Sequence, residues 1–233
     1  MLFGLFSYDW TILLVIPGLI VSIWAQIKVQ STFSRYSKIN TSRGMTGFMA
    51  ARRILDANGL SHVRIEQIGG HLSDHYDPRA NVIRLSASVY SSSSPAAIGV
   101  AAHEAGHAIQ YATQYAPIKL RASLVSITQF SSGLAVPLFF IGLLFASEAL
   151  MLIGIILYTA IAFFQLVTLP VEFNASGRAM SVLKSSGMLN AEELKASRKV
   201  LSAAAMTYVA ALLTSILTLL RLILIAGRGN RRN

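Results

Sequence analysis

Residues 134–171 read LAVPLFFIGLLFASEALMLIGIILYTAIAFFQLVTLPV, and this stretch decides the class of protein. Glu148 is its single charged residue. A helix needs about 20 consecutive apolar residues to cross a bilayer core. The uncharged run before Glu148 reaches back to Ala122, and the run after it extends from Ala149 to Val171. Only Ser147 and Glu148 separate the two, so they are read as a tight helical hairpin of two membrane spans.

Working outward, two more apolar stretches appear. The first, from Trp10 to Ile27, is WTILLVIPGLIVSIWAQI, with Trp10 and Trp24 near its ends, as interfacial aromatics often are. A signal peptide would begin with a basic segment, but this chain begins MLFGLFSYDW. The stretch is therefore read as a retained anchor. The last runs from Ala203 to Leu220 and on past Arg221 to Ala226. Composition agrees: 54% of the 233 residues are hydrophobic and only 13% are charged. Soluble domains carry about 25% charged residues. The expected fold is a mainly α integral membrane protein with about four transmembrane helices.

The net charge of +10 could suggest nucleic acid. Here the bases flank apolar segments and no base-stacking aromatic motif accompanies them, so the partner expected is the lipid bilayer, not nucleic acid. The two polar regions, from Lys28 to Arg121 and from Ser176 to Lys199, hold 16 of the 20 Lys and Arg residues. The positive-inside rule places both in the cytoplasm of a multi-pass protein of the cell membrane. The tail GRGNRRN resists this rule, because four full crossings put its three arginines on the other side. The absence of cysteine excludes disulfides and thiolate ligands.

The expected organisation is an anchor over 1–28, a catalytic region over 29–121, a transmembrane hairpin over 122–171, a ligand-bearing segment and helix over 172–202, and a C-terminal transmembrane helix with a basic tail over 203–233. Ser94 and Pro95 suit a helix start, as do Asn190 and the acids Glu192 and Glu193.

The chemistry lies in PAAIGVAAHEAGHAIQYATQ, residues 95–114. His103-Glu104-Ala105-Gly106-His107 is an H-E-x-x-H motif. On a helix, positions i and i+4 share a face, so both imidazoles reach one metal ion. Glu104 can face a water beside that metal without being a ligand, the place of a general base. Two histidines and a carboxylate in an apolar helix are costly unless something pairs them. Gly106 lowers helix propensity. A catalytic zinc takes three protein ligands and leaves one position open. His62, His71, His75 and the acids compete for the third place. Glu172 is favoured, because the hairpin leaves and returns on one side and Glu172 follows its second arm. The competing reading makes Glu172 an interfacial acid paired with Arg178.

Upstream, Asn81–Ser86 alternates as a strand after a turn at Asp77-Pro78. Beside the active helix, it offers an edge to which a substrate peptide could add; a plain hairpin beneath the helix is the equal alternative. His75 and Tyr76 are weaker candidates for stabilising an oxyanion. A second metal site at His71 and His75 is disfavoured by Gly69-Gly70 and Asp77-Pro78.

SDHYDPRANVIRLSASVYSSSSPAAIGVAAHEAGHAIQ (73–110) and LPVEFNASGRAM (169–180) together resemble the bacterial neutral zinc metallopeptidases of the membrane protease type. The resemblance covers most of the chain. In layout that family is similar to the heat-shock membrane proteases and CAAX prenyl proteases, which carry H-E-x-x-H, a membrane hairpin and a glutamate ligand in an E-F-x-A-D context. The resemblance implies a zincin-like unit with a short β-sheet, one zinc ion held by His103, His107 and Glu172, Glu104 as base, and a peptide or membrane-protein substrate. One departure matters: the aspartate of E-F-x-A-D is Ser176 here. That aspartate would hold a ligand histidine, so Ser176 or Asn174 is expected to replace it. Arg178 is a candidate for the substrate carbonyl or oxyanion. Three rivals are weaker. An intramembrane protease of the site-2 type needs an L-D-G motif that is absent. A zinc-binding scaffold has no need of Glu104. A transporter predicts ionisable residues within the spans, where only Arg221 occurs. The oligomeric state is left open.

Overall fold

A computed structural model describes residues 10–70 and 73–229. A 3-10 turn over Trp10–Leu14 leads into α1 (Ile16–Tyr36), followed by α2 (Gly47–Ala57). Three short strands come next: β1 (Arg64–Ile68), β2 (His75–Asp77) and β3 (Val82–Ser86). Then follow α3 (Ala87–Tyr90), α4 (Pro95–Ala112), α5 (Ala116–Leu144), α6 (Glu148–Ser185) and α7 (Ala191–Gly229). Among the described residues, four helices are long and apolar enough to cross a membrane: those over Trp10–Tyr36, Ala116–Leu144, Glu148–Ser185 and Ala191–Gly227. The mainly α membrane fold and its small sheet are as expected.

The described chain forms two compact units. The first comprises residues 10–24, 120–169 and 207–229. Its packing centres on Phe139, Met151 and Leu222, with Leu143, Ile155 and Tyr158 against them. The two arms of the hairpin approach closely: a Cβ on Gly154 would lie 2.8 Å from the Ala135 carbonyl oxygen, which only glycine permits. Ser22 and Thr214 hydrogen-bond through their hydroxyls at 3.1 Å. Much apolar surface points outward, including Phe130, Phe145, Leu152 and Ile156. Side chains of this size, exposed along whole helices, suit lipid and not water.

The second unit comprises residues 25–119 and 170–206 and carries the sheet. The strand order is β1-β3-β2. β3 pairs in parallel with β1, with Arg64 opposite Val82, and antiparallel with β2, with His75 opposite Arg84. The strand expected over Asn81–Ser86 therefore forms, but as the central strand. Both its edges are occupied, so edge addition to that strand is excluded; the outer edges belong to β1 and β2.

The core of this unit gathers Ile54 and Leu55 of α2, Ile83 and Leu85 of β3, Ile98, Ala101 and Ala105 of α4, Leu183 of α6 and Val200 of α7. Each large side chain buried there contributes about 1.5–3 kcal/mol. Local chemistry sets the helix starts. Ser94 caps α4 by accepting from the Ala97 N–H, with Pro95 in the first helical position. Asn190 and Glu193 cap α7 reciprocally: Glu193 N–H donates to Asn190 Oδ1, and Asn190 N–H donates to Glu193 Oε2. From that cap α7 runs unbroken through Arg221.

Candidate metal centre

Helix α4 is built almost wholly of small residues around its motif. Ala97, Ala101, Ala102 and Ala105 are all inaccessible to solvent, so neighbouring elements pack against several sides of the helix. Gly106 is where α6 comes nearest: a Cβ there would lie 2.7 Å from the Ala175 carbonyl oxygen. The propensity lost at Gly106 is thus exchanged for a close helix–helix approach. On α6, Val171, Glu172, Ala175, Ala179 and Leu183 are buried at three- to four-residue spacing. That stripe carries Glu172 to the motif. The uncharged run ends at Val171 but the helix does not: α6 continues through Glu172 to Ser185 despite Pro170 in its interior.

His103, His107 and Glu172 converge. One ligating atom from each lies within 4.8 Å of the other two. His103 Nε2 is 3.2 Å and His107 Nε2 is 3.5 Å from Glu172 Oε2, and the two Nε2 atoms are 3.1 Å apart. Glu172 is only 2% exposed. Two imidazole nitrogens and a carboxylate oxygen are a donor set that could hold a metal ion such as zinc. Electrostatics fits a cation too. Burial alone would push the His107 imidazole down, but the Glu172 and Glu104 carboxylates beside it raise its proton affinity above the ordinary histidine value.

Each histidine is held through its other nitrogen. His103 Nδ1 is 3.1 Å from Ser176 Oγ. His107 Nδ1 is 3.0 Å from Gln110 Oε1. Asn174 touches neither histidine; its Oδ1 accepts from Gln110 Nε2 at 3.0 Å and from Arg178 Nε at 2.8 Å. Arg178 also places its guanidinium 5.8 Å over the Tyr115 ring. The competing pairing of Glu172 with Arg178 is thus replaced by Glu172 against the histidines and Arg178 against Asn174. Gln110 was missed in the sequence. Its signal was present, since it lies three residues beyond His107 on the same helix.

Glu104 is 7% exposed, and its Oε2 accepts the backbone N–H of Tyr76 at 2.9 Å. Tyr76 lies on β2, so the edge strand brings a backbone N–H to the motif. Its phenol donates to Asn81 Oδ1 at 2.8 Å, and its ring packs on Tyr111 with centroids 5.7 Å apart. Asp74 accepts from the Ser86 N–H at 2.8 Å. Burial pushes its carboxyl above the ordinary carboxylate range, against the pull of Ser86, and the Glu104 charge adds to the rise. The His75 imidazole is exposed, with Nδ1 2.8 Å from the Ser73 carbonyl oxygen. It is outside the ligand group. His71 falls outside the described residues.

The family model described as "Putative neutral zinc metallopeptidase" matches residues 11–227. The chain belongs to this family. It is also 50% identical over 222 residues to "Putative membrane protease YugP" of Bacillus subtilis (strain 168), covering 95% of this chain and 99% of that protein. No solved structure matches the chain. Membership in this family supports a protease function at the level of the family, and zinc is the metal that membership implies.

Proposed function

We propose that this zinc metallopeptidase hydrolyses peptide bonds at the centre built from His103, His107 and Glu172, with one zinc ion per chain and Glu104 as the general base. The observation that carries the reading is the convergence of three donor atoms within 4.8 Å beside a buried, separately anchored glutamate.

His103 Nε2, His107 Nε2 and a Glu172 carboxylate oxygen would hold the zinc. Zinc held there would supply Lewis-acid chemistry, activating a water and polarising a carbonyl. The residues of the chain do the rest. Glu104 takes a proton from the attacking water and passes it to the leaving nitrogen. The Tyr76 N–H steadies one of its carboxylate oxygens, leaving the other to work. Burial of the centre strengthens each polar contact by excluding water. An extended peptide beside the outer edge of β2 would lie next to Glu104, and the Tyr76–Tyr111 pair offers it an aromatic contact. Substrates of this kind are peptides or membrane proteins, presented on the cytoplasmic side.

The test compares detergent-purified wild type with Glu104→Gln for zinc content and casein hydrolysis. Both should bind one zinc, and the variant should lose about 10²–10⁴-fold in rate. A Glu104→Gln protein that cleaves at the wild-type rate would sink the assignment of the base.

A further inference from the structure

Gln110 is wholly buried, with 0% of its surface exposed. A primary amide in such a place costs stability unless its donors and acceptor are used. All three contacts of this one cross between groups that bear on the metal centre. Its Oε1 lies 3.0 Å from His107 Nδ1. Its Nε2 donates to the Val171 carbonyl at 2.8 Å and to Asn174 Oδ1 at 3.0 Å. Val171 immediately precedes Glu172, so a single side chain on α4 touches one ligand and the backbone next to another.

The direction of every bond in this chain follows from its ends. A backbone carbonyl only accepts, so the amide end facing Val171 is the NH₂ group. A guanidinium only donates, so the Asn174 atom facing Arg178 Nε at 2.8 Å is its carbonyl oxygen. That same oxygen receives Gln110 Nε2, which places the Gln110 NH₂ on the α6 side a second, independent time. The oxygen of Gln110 is therefore the atom presented to His107. An amide oxygen only accepts, so His107 Nδ1 carries a proton, and in the neutral ring that a metal requires Nε2 keeps the lone pair. Nε2 is the nitrogen that faces His103 and Glu172.

We infer that Gln110, set by Val171, Asn174 and Arg178, is a positioning residue that fixes the Nδ1–H tautomer of His107 and so presents Nε2 to the metal. The inference rests on the ligand assignment proposed above. It gives the centre two neutral holders, Ser176 for His103 and Gln110 for His107, and neither is a carboxylate. It also explains why an amide stands at a position where a buried helix face would otherwise take an apolar residue: the site needs one acceptor toward α4 and donors toward α6 together.

Two measurements decide it, both on the full chain in detergent. The first is two-bond ¹H–¹⁵N correlation on wild type labelled at histidine and loaded with zinc. The expected result is His107 protonated on Nδ1 with Nε2 on the metal; the opposite tautomer overturns the inference. The second is zinc affinity by chelator competition. Gln110→Met removes the acceptor and should weaken zinc by about 10–100-fold, the usual cost of losing such a partner. Gln110→Glu keeps an acceptor for His107 while disturbing the contacts to α6, and should recover most of that loss. Equal weakening in both variants would make Gln110 a tie between helices and nothing more, and wild-type affinity in Gln110→Met would remove its role altogether. Wild type that binds no zinc overturns the ligand assignment, and this inference with it; zinc bound through the other tautomer overturns this inference alone.

Discussion

Ser176 Oγ lies 3.1 Å from His103 Nδ1, across 73 residues of sequence. A hydroxyl here stands where the E-F-x-A-D pattern of the CAAX prenyl proteases has its aspartate. Removing it in Ser176→Ala should leave the ligands in place but free the His103 ring, weakening zinc by about 10–100-fold. Ser176→Asp should bind zinc more tightly than Ser176→Ala. Chelator competition on the three proteins measures both effects, and unchanged affinity in Ser176→Ala would show that the ring needs no partner.

In the proposed centre Glu172 is the ligand that α6 contributes. Glu172→Ala should therefore lose stoichiometric zinc, as read by metal analysis after gel filtration, whereas Glu104→Gln should not. Retention of one zinc per chain in Glu172→Ala would strike Glu172 from the ligand set.

Gly106→Ala tests the close approach of α4 and α6. Its Cβ would lie 2.7 Å from the Ala175 carbonyl oxygen, and backbone cannot swing aside as a side chain can. The expected cost is about 1–3 kcal/mol of stability, seen as a lower melting temperature, together with weakened zinc as Glu172 shifts from the histidines. Ala105→Gly, one residue earlier, should cost helix propensity and one buried methyl, together about 2 kcal/mol, without displacing Glu172 or weakening zinc.

Acid should act on the β2–β3 hairpin with a defined sign. Arg84 donates to Asp77 Oδ2 at 2.7 Å, and this bond, with the Ala80 and Arg79 N–H groups, lowers the Asp77 carboxyl from 3.8 to about 2. A depressed folded-state pKa gives stability that is present above the unfolded value and lost as pH falls through the folded one. The Asp77 contribution should thus fade between about pH 4 and pH 2. Asp74, raised by burial, works in the opposite sense: its contribution is present below the unfolded pKa and lost as pH rises through the folded one. Melting curves against pH should show Asp77→Asn flattened in that acid window. A variant that keeps the wild-type slope there would refute the assignment.

Orientation can be read with single cysteines, since the chain has none of its own. With the catalytic side in the cytoplasm, Ser91→Cys should react with an impermeant maleimide only after the cells are opened. Glu148→Cys, at the turn of the hairpin, should react in intact cells. The reverse pattern would place the centre outside.

The chain declares some of this locally and leaves the rest to packing. Hydrophobic length exposed the four membrane helices, because crossing lipid is a constraint on one segment at a time. Helical periodicity put His103 and His107 on one face, and the Ser94-Pro95 and Asn190-Glu193 signals marked helix starts, because caps are satisfied within a few residues. Glu172 could be favoured but not settled by that means, since a pairing with Arg178 stayed open as the weaker alternative. Strand pairing was beyond such reading: Asn81–Ser86 alternates as an edge strand would, yet β1 pairs with it in parallel and takes the edge. Only the tertiary structure decided which side chains meet the two histidines. Gln110 reaches the Val171 carbonyl across 61 residues and Ser176 reaches His103 across 73. Such pairings depend on how closely α4 and α6 pack, and that distance is set by Gly106 against a backbone oxygen far along the chain.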